Sequence, residues 1–176
     1  MSKLSVKKTL NQFDADELRA LILDIYSKSK EAKELLDFYA EPDLEAKFDA
    51  FLKQIQKEIY RFKKRQFRPR ILVIRSIFRK FKVFEPGDEY VGRLMAETVI
   101  TFCQMSHKQW IDDGVVNNFT AFFEDTLEFL KTRCMLAEYE PRFRRVISEI
   151  GRNGIYRNPV EMSFSVALSN FMNKED

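Results

Sequence analysis

The spacing of apolar residues constrains the fold of this chain more than any other feature of its sequence. In segment after segment these residues recur at i, i+3, i+4 and i+7, the period of a helix with one face against a core. One such stripe consists of Leu44, Phe48, Phe51, Leu52, Ile55, Ile59 and Phe62. All five prolines and four of the five glycines fall between the periodic segments, where residues that cannot propagate a helix belong. The pattern predicts helices over residues 3–11, 15–29, 30–40, 43–64, 70–84, 88–107, 115–136, 141–150 and 159–172.

Residues that cap helices support these boundaries. Asp14, followed three residues later by Glu17, forms an acidic analogue of the capping box. Asn158 precedes Pro159, which is the order expected of a cap and a first-turn proline. We expect Asp88 to cap the helix that follows it, and Gly151 to stop the helix before it.

Three segments carry more specific expectations. The helix 115–136 has a second apolar row, Phe122 with Phe129, and this predicts a central position with neighbours on both sides. The β-branched run at 71–74 is compatible with a short buried strand, but its continuation at helical spacing favours a helix. Gly92 lies inside a predicted helix, which indicates close approach by another backbone, within the monomer or across a dimer.

Composition indicates a well-packed globular chain. Of 176 residues, 45% are hydrophobic and seventeen are Phe, whereas only five are Gly. A chain of this length is typically one domain, so we expect a single all-α domain over residues 1–176. We expect about eight or nine helices in antiparallel pairs, or a short HEAT-like array, around a phenylalanine-rich core.

The sequence favours a soluble, cytoplasmic protein. The apolar run of an export signal is interrupted by Lys7 and Lys8, and the longest apolar stretch without charge is far shorter than a membrane span, so we expect no membrane insertion. Cys103 and Cys134 are the two cysteines, and without a framework of further cysteines they fit free thiols in a reducing compartment better than a disulfide.

The layout of the chain resembles that of a protein family. The residues that carry the resemblance are the opening "MSKLSVKKTL", the pieces "LLDFYAEP" and "FRKFK", and the Phe-rich helix that follows. On these, the chain resembles an uncharacterised bacterial domain-of-unknown-function family of all-helical proteins of similar length. The resemblance implies an all-helical fold and brings no activity or active site.

Candidate catalytic and metal-binding residues are few. Cys103 and the single histidine, His107, share a face at helical spacing, with Asp112 and Asp113 shortly after. A zinc site needs four positioned ligands, and a Cys–His nucleophile pair needs an orienting group and an oxyanion site. A helix end at this point, with Trp110 packed and His107 near the last carbonyls, explains the residues more simply. We therefore expect no enzyme activity, no metal and no cofactor.

Positive charge is concentrated between residues 60 and 82, which hold ten Lys or Arg and no acid. The remainder has 20 basic and 27 acidic residues, a net charge of −7, so the molecule is electrically polarised. On the predicted helix 43–64, the side opposite the apolar stripe carries Lys57, Arg61 and Lys64. On the next helix, one row flanking the core face consists of Arg75, Arg79 and Lys82. The candidate anion- or partner-binding residues are Arg61, Lys63, Lys64, Arg65, Arg68, Arg70, Arg75, Arg79 and Lys82.

Two interpretations of this basic segment stay open. In the first, the segment binds phosphates or an acidic protein surface. In the second, its side chains only face solvent, or they pair with carboxylates of the same chain. Because no catalytic motif is visible, the leading hypothesis is a non-catalytic helical interaction module whose basic ridge meets a protein partner or a polyanion. The alternative is a nucleic-acid-binding protein, with Phe67 as the aromatic residue exposed for stacking on bases. The sequence predicts no oligomeric state.

Overall fold

Helices make up most of the computed structural model, which describes residues 2–107, 111–151 and 158–173. Nine helices and one two-stranded hairpin lie within those ranges, so the all-α prediction is confirmed. In chain order they are α1 (Lys3–Leu10), α2 (Ala15–Lys28), α3 (Lys30–Ala40), α4 (Leu44–Ile59), β1 (Phe62–Lys63), β2 (Gln66–Phe67), α5 (Ile71–Lys82), α6 (Gly87–Ser106), α7 (Asp113–Thr132), α8 (Leu136–Gly151) and α9 (Pro159–Met172). Trp110 lies outside the described part of the chain.

The chain divides into two compact units, residues 1–43 and residues 44–176. The single domain predicted over residues 1–176 therefore stays a prediction.

The first unit contains α1, α2 and α3, and side-chain caps define its helices. Asp14 accepts hydrogen bonds from the backbone N–H groups of Asp16 and Glu17, and the Glu17 carboxylate accepts one from the Asp14 N–H at 2.9 Å. The predicted capping box is confirmed. The Tyr26 hydroxyl donates to Asp37 at 2.9 Å and ties α2 to α3, and this hydrogen bond raises the pKa of Tyr26.

The second unit packs its helices against their neighbours and next neighbours in sequence. The helices α4, α6 and α8 contact in turn, and each also packs on the helix that follows it: α5, α7 and α9 respectively. Stacked helical pairs produce this pattern, which agrees with the predicted HEAT-like arrangement. The helix α7 packs on α6, α8 and α9, so its predicted central position is confirmed.

Phenylalanine rings from four helices form the centre of the second unit. Phe102 of α6 stacks on Phe119 of α7 with ring centres 3.8 Å apart, and it also contacts Phe164 of α9. Phe123 of α7 lies 4.8 Å from Phe164 and 5.2 Å from Phe143 of α8. These five residues are at most 1% exposed. We call them the ring cluster; burial of such rings is the largest favourable contribution to a core.

Side chains, and not another backbone, lie against Gly92 in the middle of α6. A Cβ atom at this position would lie 2.9 Å from the Met135 methyl carbon and 3.0 Å from a Leu130 methyl carbon. The prediction that Gly92 has a close neighbour is confirmed, but the neighbours are side chains and not the predicted backbone. Glycine is used here because α7 and the residues after it fill the space that a side chain would need.

Four predicted helix ends are wrong. The predicted helix 115–136 ends at Thr132 instead of residue 136. The helix α4 ends at Ile59 instead of residue 64, because the chain turns back into the hairpin. Asp88 is not a cap, since α6 begins at Gly87 and Asp88 lies in its first turn, paired with Arg133 at 2.8 Å. The helix α8 begins at Leu136, and Pro141 lies inside it on an exposed side, where water can satisfy the carbonyl group that the proline leaves unpaired.

No helix within the described residues is both long and apolar enough to cross a membrane.

Candidate functional site

The basic segment begins with a β-hairpin instead of a helix end. Phe62 pairs with Phe67 and Lys63 with Gln66, so Lys64 and Arg65 form the two-residue turn. Both turn residues have positive φ, 53° and 62°, as a type I′ turn requires. At the base of the hairpin the backbone N–H of Arg68 donates to the Arg61 carbonyl at 2.8 Å, and the Arg61 guanidinium donates to the Arg68 carbonyl at 3.2 Å.

The hairpin exposes cations and one aromatic ring. Lys63, Lys64 and Arg65 are exposed, and no carboxylate in the described ranges pairs with them. We call these three residues the hairpin tip. Phe62 is 57% exposed, whereas Phe67 is half-buried beneath it, with ring centres 5.2 Å apart. The prediction that Phe67 is the exposed ring is therefore wrong, because a hairpin turns Phe62 outward where a helix would have turned it inward.

The common face predicted for Lys57, Arg61 and Lys64 does not exist. It required one helix to continue through all three, but only Lys57 lies in α4. Arg61 lies at the base of the hairpin and Lys64 at its turn. The cations of this region are arranged by the hairpin, not by helical spacing.

Arg70 follows the hairpin and is neutralised by the protein itself. Its Nε and Nη2 donate to the two carboxylate oxygens of Glu58, each at 2.8 Å. Glu58 is only 15% exposed, and these hydrogen bonds lower the pKa of its carboxyl, with Arg61 and Lys57 contributing through their charge. Arg70 therefore anchors the end of the hairpin segment to α4 and is not free for a ligand.

The predicted row on α5 lies beside the core as the helical spacing indicates. Arg75 pairs with Asp125 of α7 at 2.8 Å, and its guanidinium lies over the Phe122 ring. Arg79 and Lys82 are exposed, and neither pairs with a carboxylate of the described chain. Two of the three cations in this row thus remain available to an anion.

A groove runs beside this row, between α5 and α7 and over α6. Its volume is about 350 Å³. Its walls combine the three cations with apolar side chains and one carboxylate: Leu72, Arg75, Phe78, Arg79, Lys82, Val91, Met95, Phe122 and Asp125. We call it the α5 groove. It lies where α5 and α7 meet only through a few side chains, Phe78 against Phe122 and Arg75 with Asp125, whereas α7 packs closely on α9.

Sequence reasoning found the cations of the groove and missed its apolar wall. Phe122 was correctly assigned to an apolar row, but such a row shows only that a residue faces other helices. That Phe122 lines one groove with Val91 and Met95 depends on how three helices pack, and of these three residues only Met95 is not buried. Leu72 carries a local signal, since it is an apolar residue on the polar side of α5, where it is 77% exposed.

Cys103 and His107 lie together at the end of α6. Both line a cavity of about 340 Å³ that also includes Glu149 and Tyr60. Cys103 is fully buried, and burial raises the pKa of its thiol well above the ordinary value, so the nucleophilic thiolate is strongly disfavoured. His107 is the C-cap residue of α6, as the simpler interpretation predicted. Among the described residues, no group of three or more His, Cys, Asp or Glu side chains is arranged to hold a metal.

The fold and this surface define a class of protein: an all-helical chain of stacked pairs with a basic hairpin and a cation-lined apolar groove. Residues 1–167 match the family of unknown function DUF6155, and the chain belongs to this family. Neither a curated protein nor a solved structure matches the chain. The resemblance to an all-helical family of unknown function is confirmed, and its bacterial origin stays a prediction.

Proposed function

We propose that this protein is a non-catalytic helical interaction module that binds an acidic segment of a protein partner through its basic surface. One observation carries the proposal: the hairpin tip, Arg79 and Lys82 present cations that no carboxylate of the described chain neutralises. Clustered like charges repel one another, and an anionic partner relieves that repulsion.

Intramolecular pairing accounts for only part of the basic segment. Glu58 neutralises Arg70 and Asp125 neutralises Arg75. The acidic remainder of the chain does not reach the other candidate cations within the described residues. The interpretation of these side chains as partners of the protein's own carboxylates therefore explains two of the nine candidates, and the proposed partner explains the exposed rest.

The proposed module acts in the cytoplasm and has no catalytic role. Cys103 and Cys134 are free cysteines, which fits a reducing compartment. The buried, protonated thiol of Cys103 supports a structural role for the only Cys–His pair that the sequence offers.

A second candidate function, nucleic-acid binding, is favoured by the hairpin. Phe62 is 57% and Tyr60 44% exposed, and both lie within a few residues of the cationic hairpin tip. Exposed rings beside cations can stack on unpaired bases while the cations contact phosphates. The apolar wall of the α5 groove has no role in such binding, so we favour the protein partner.

The test compares two labelled anions by fluorescence anisotropy: a glutamate-rich peptide and a single-stranded oligouridine RNA of equal charge. We expect the peptide to bind more tightly, with an affinity that falls as salt rises. The double variant Lys64→Glu/Arg65→Glu and the double variant Arg79→Glu/Lys82→Glu remove equal charge from the two candidate patches. Lys53→Glu/Lys57→Glu on α4 is the control of matched charge.

Each outcome decides between the candidates. Peptide binding that is weakened by the patch variants and kept by the α4 control supports the proposal. Tighter binding of RNA, lost with the hairpin variant, would establish the nucleic-acid function instead. If neither anion binds, or if all three variants have the same effect, the basic surface is only solvated and the proposal is wrong.

A further inference from the structure

We infer that the α5 groove binds one amphipathic, acidic α-helix of a protein partner. The inference rests on the proposed function and adds the site and the chemistry of the ligand. The groove combines an apolar wall with a row of cations along one edge, and an amphipathic acidic helix carries the complementary pair of faces. Its apolar face lies on Leu72 and Met95, the apolar lining residues that are not buried, above the buried rings of Phe78 and Phe122. Its carboxylates meet Arg79 and Lys82.

The spacing of the cations favours a helix over a ligand with a single charged group. Arg75, Arg79 and Lys82 are separated by four and three residues of α5, so they span about 10 Å along the helix axis. Carboxylates three or four residues apart on a bound helix repeat at the same distances. A fatty acid or a lone phosphate would contact one end of the row and leave the other unpaired.

The apolar side of the groove is suited to receive side chains from a partner. Leu72 is 77% exposed at one end of the groove, one turn before Arg75, and burial under a partner helix would remove it from water. Met95 is half-buried in the wall, and its unbranched thioether can adapt to the shape of an incoming residue. The volume of about 350 Å³ accommodates a few anchoring side chains, which is how helices bind in grooves.

Asp125 gives the groove its selectivity. Its carboxylate holds Arg75 at the rim and places one negative charge beside the two free cations. A densely charged polyanion is repelled by this carboxylate where it passes Asp125, whereas an amphipathic helix gains apolar contacts that offset the repulsion. Replacement of Asp125 by Asn keeps the side-chain shape and frees Arg75, so it should raise the affinity for every acidic ligand.

The test uses a labelled helical peptide with Leu on one face and Glu on the other. A scrambled peptide of the same composition lacks the apolar face, and the glutamate-rich peptide lacks apolar residues. We expect the amphipathic peptide to bind at least about tenfold more tightly than the scrambled one. The variant Arg79→Glu/Lys82→Glu should bind the amphipathic peptide about tenfold more weakly or worse, and Asp125→Asn should bind it more tightly than the wild type.

Matched variants separate the groove from the rest of the basic surface. Lys80→Glu/Lys53→Glu makes the same charge change, but neither lysine lines the groove, so we expect it to bind nearly as the wild type does. Met95→Gln keeps the length of the side chain and should weaken the amphipathic peptide while leaving the glutamate-rich peptide unchanged. Circular dichroism spectra check that each variant is folded.

Several results would overturn the inference. Equal affinity for the amphipathic and scrambled peptides, or an equal loss of affinity in both double variants, would mean that the peptides bind through charge alone. The proposed function would then stand, but the groove would not be its site. Displacement of the amphipathic peptide by laurate at comparable concentration would identify the groove as a site for a single-headed amphiphile. Absence of binding by every acidic peptide would defeat the proposed function as well.

Discussion

Glu58 is the residue on which the position of the basic segment depends. It lies near the end of α4, and its two hydrogen bonds to Arg70 join the chain on both sides of the hairpin. The carboxylate is mostly buried while Arg70 is half exposed, so the pair is sheltered from solvent on one side only. An ion pair with a partly buried carboxylate contributes more to the free energy of unfolding than an exposed ion pair does.

Stability should depend on the ionisation of Glu58. The pKa of Glu58 in the folded protein lies below its ordinary value of 4.5. The stabilisation from its carboxylate is therefore fully present above pH 4.5 and is lost as the pH falls through the lower pKa of the folded protein. We expect Glu58→Gln to lower the free energy of unfolding by about 1 kcal/mol near neutral pH. In acid the difference should disappear, because both side chains are then neutral. Urea unfolding at several pH values measures this.

Asp49→Asn is the control for that experiment. Asp49 lies on the same helix, is exposed, and pairs with no cation of the described chain. We expect the Asp49→Asn variant to have nearly the same free energy of unfolding as the wild type at every pH. A loss in Glu58→Gln that persists unchanged in acid would contradict the role assigned to the ionised carboxylate.

At the scale of single elements, the hairpin carries a turn that its sequence does not favour. Lys64 and Arg65 occupy the left-handed region, where asparagine and glycine are the preferred residues of a type I′ turn. We expect Lys64→Asn/Arg65→Gly to stabilise the protein by about 1 kcal/mol, measured by urea unfolding. Lys64→Gln/Arg65→Gln removes the same charges without the change in turn preference and should not stabilise to the same extent. Equal stabilisation by both variants would assign the effect to charge repulsion.

The hairpin also shows where sequence reasoning reached its limit. Phe62 continues the apolar stripe of Ile55 and Ile59 at helical spacing, so periodicity extended the helix through it. The turn contains neither Gly nor Asn, and the usual signal of a two-residue hairpin was therefore missing. The helices were predictable because periodicity and caps are local. The groove was not, because its wall joins residues of α5, α6 and α7 that are distant in the sequence.

At the scale of the whole molecule, the buried core is distributed unequally between the two compact units. Among the described residues, every buried hydrophobic side chain other than Phe38 belongs to residues 44–176. We expect a fragment of residues 44–176 to keep a helical circular dichroism spectrum and a cooperative thermal transition, because it retains this core. The isolated segment 1–43 should be largely unfolded in the same measurement. Collapse of the larger fragment would favour the single domain predicted over residues 1–176.

The ring cluster links four helices through direct contacts between aromatic rings. Each of its rings touches a ring on a different helix, so α6, α7, α8 and α9 cannot separate one at a time without parting aromatic faces. These helices therefore behave as one cooperative block. The α5 groove borders that block through α6 and α7, so a ligand bound there rests on the block on one side and on α5, which packs against α4, on the other.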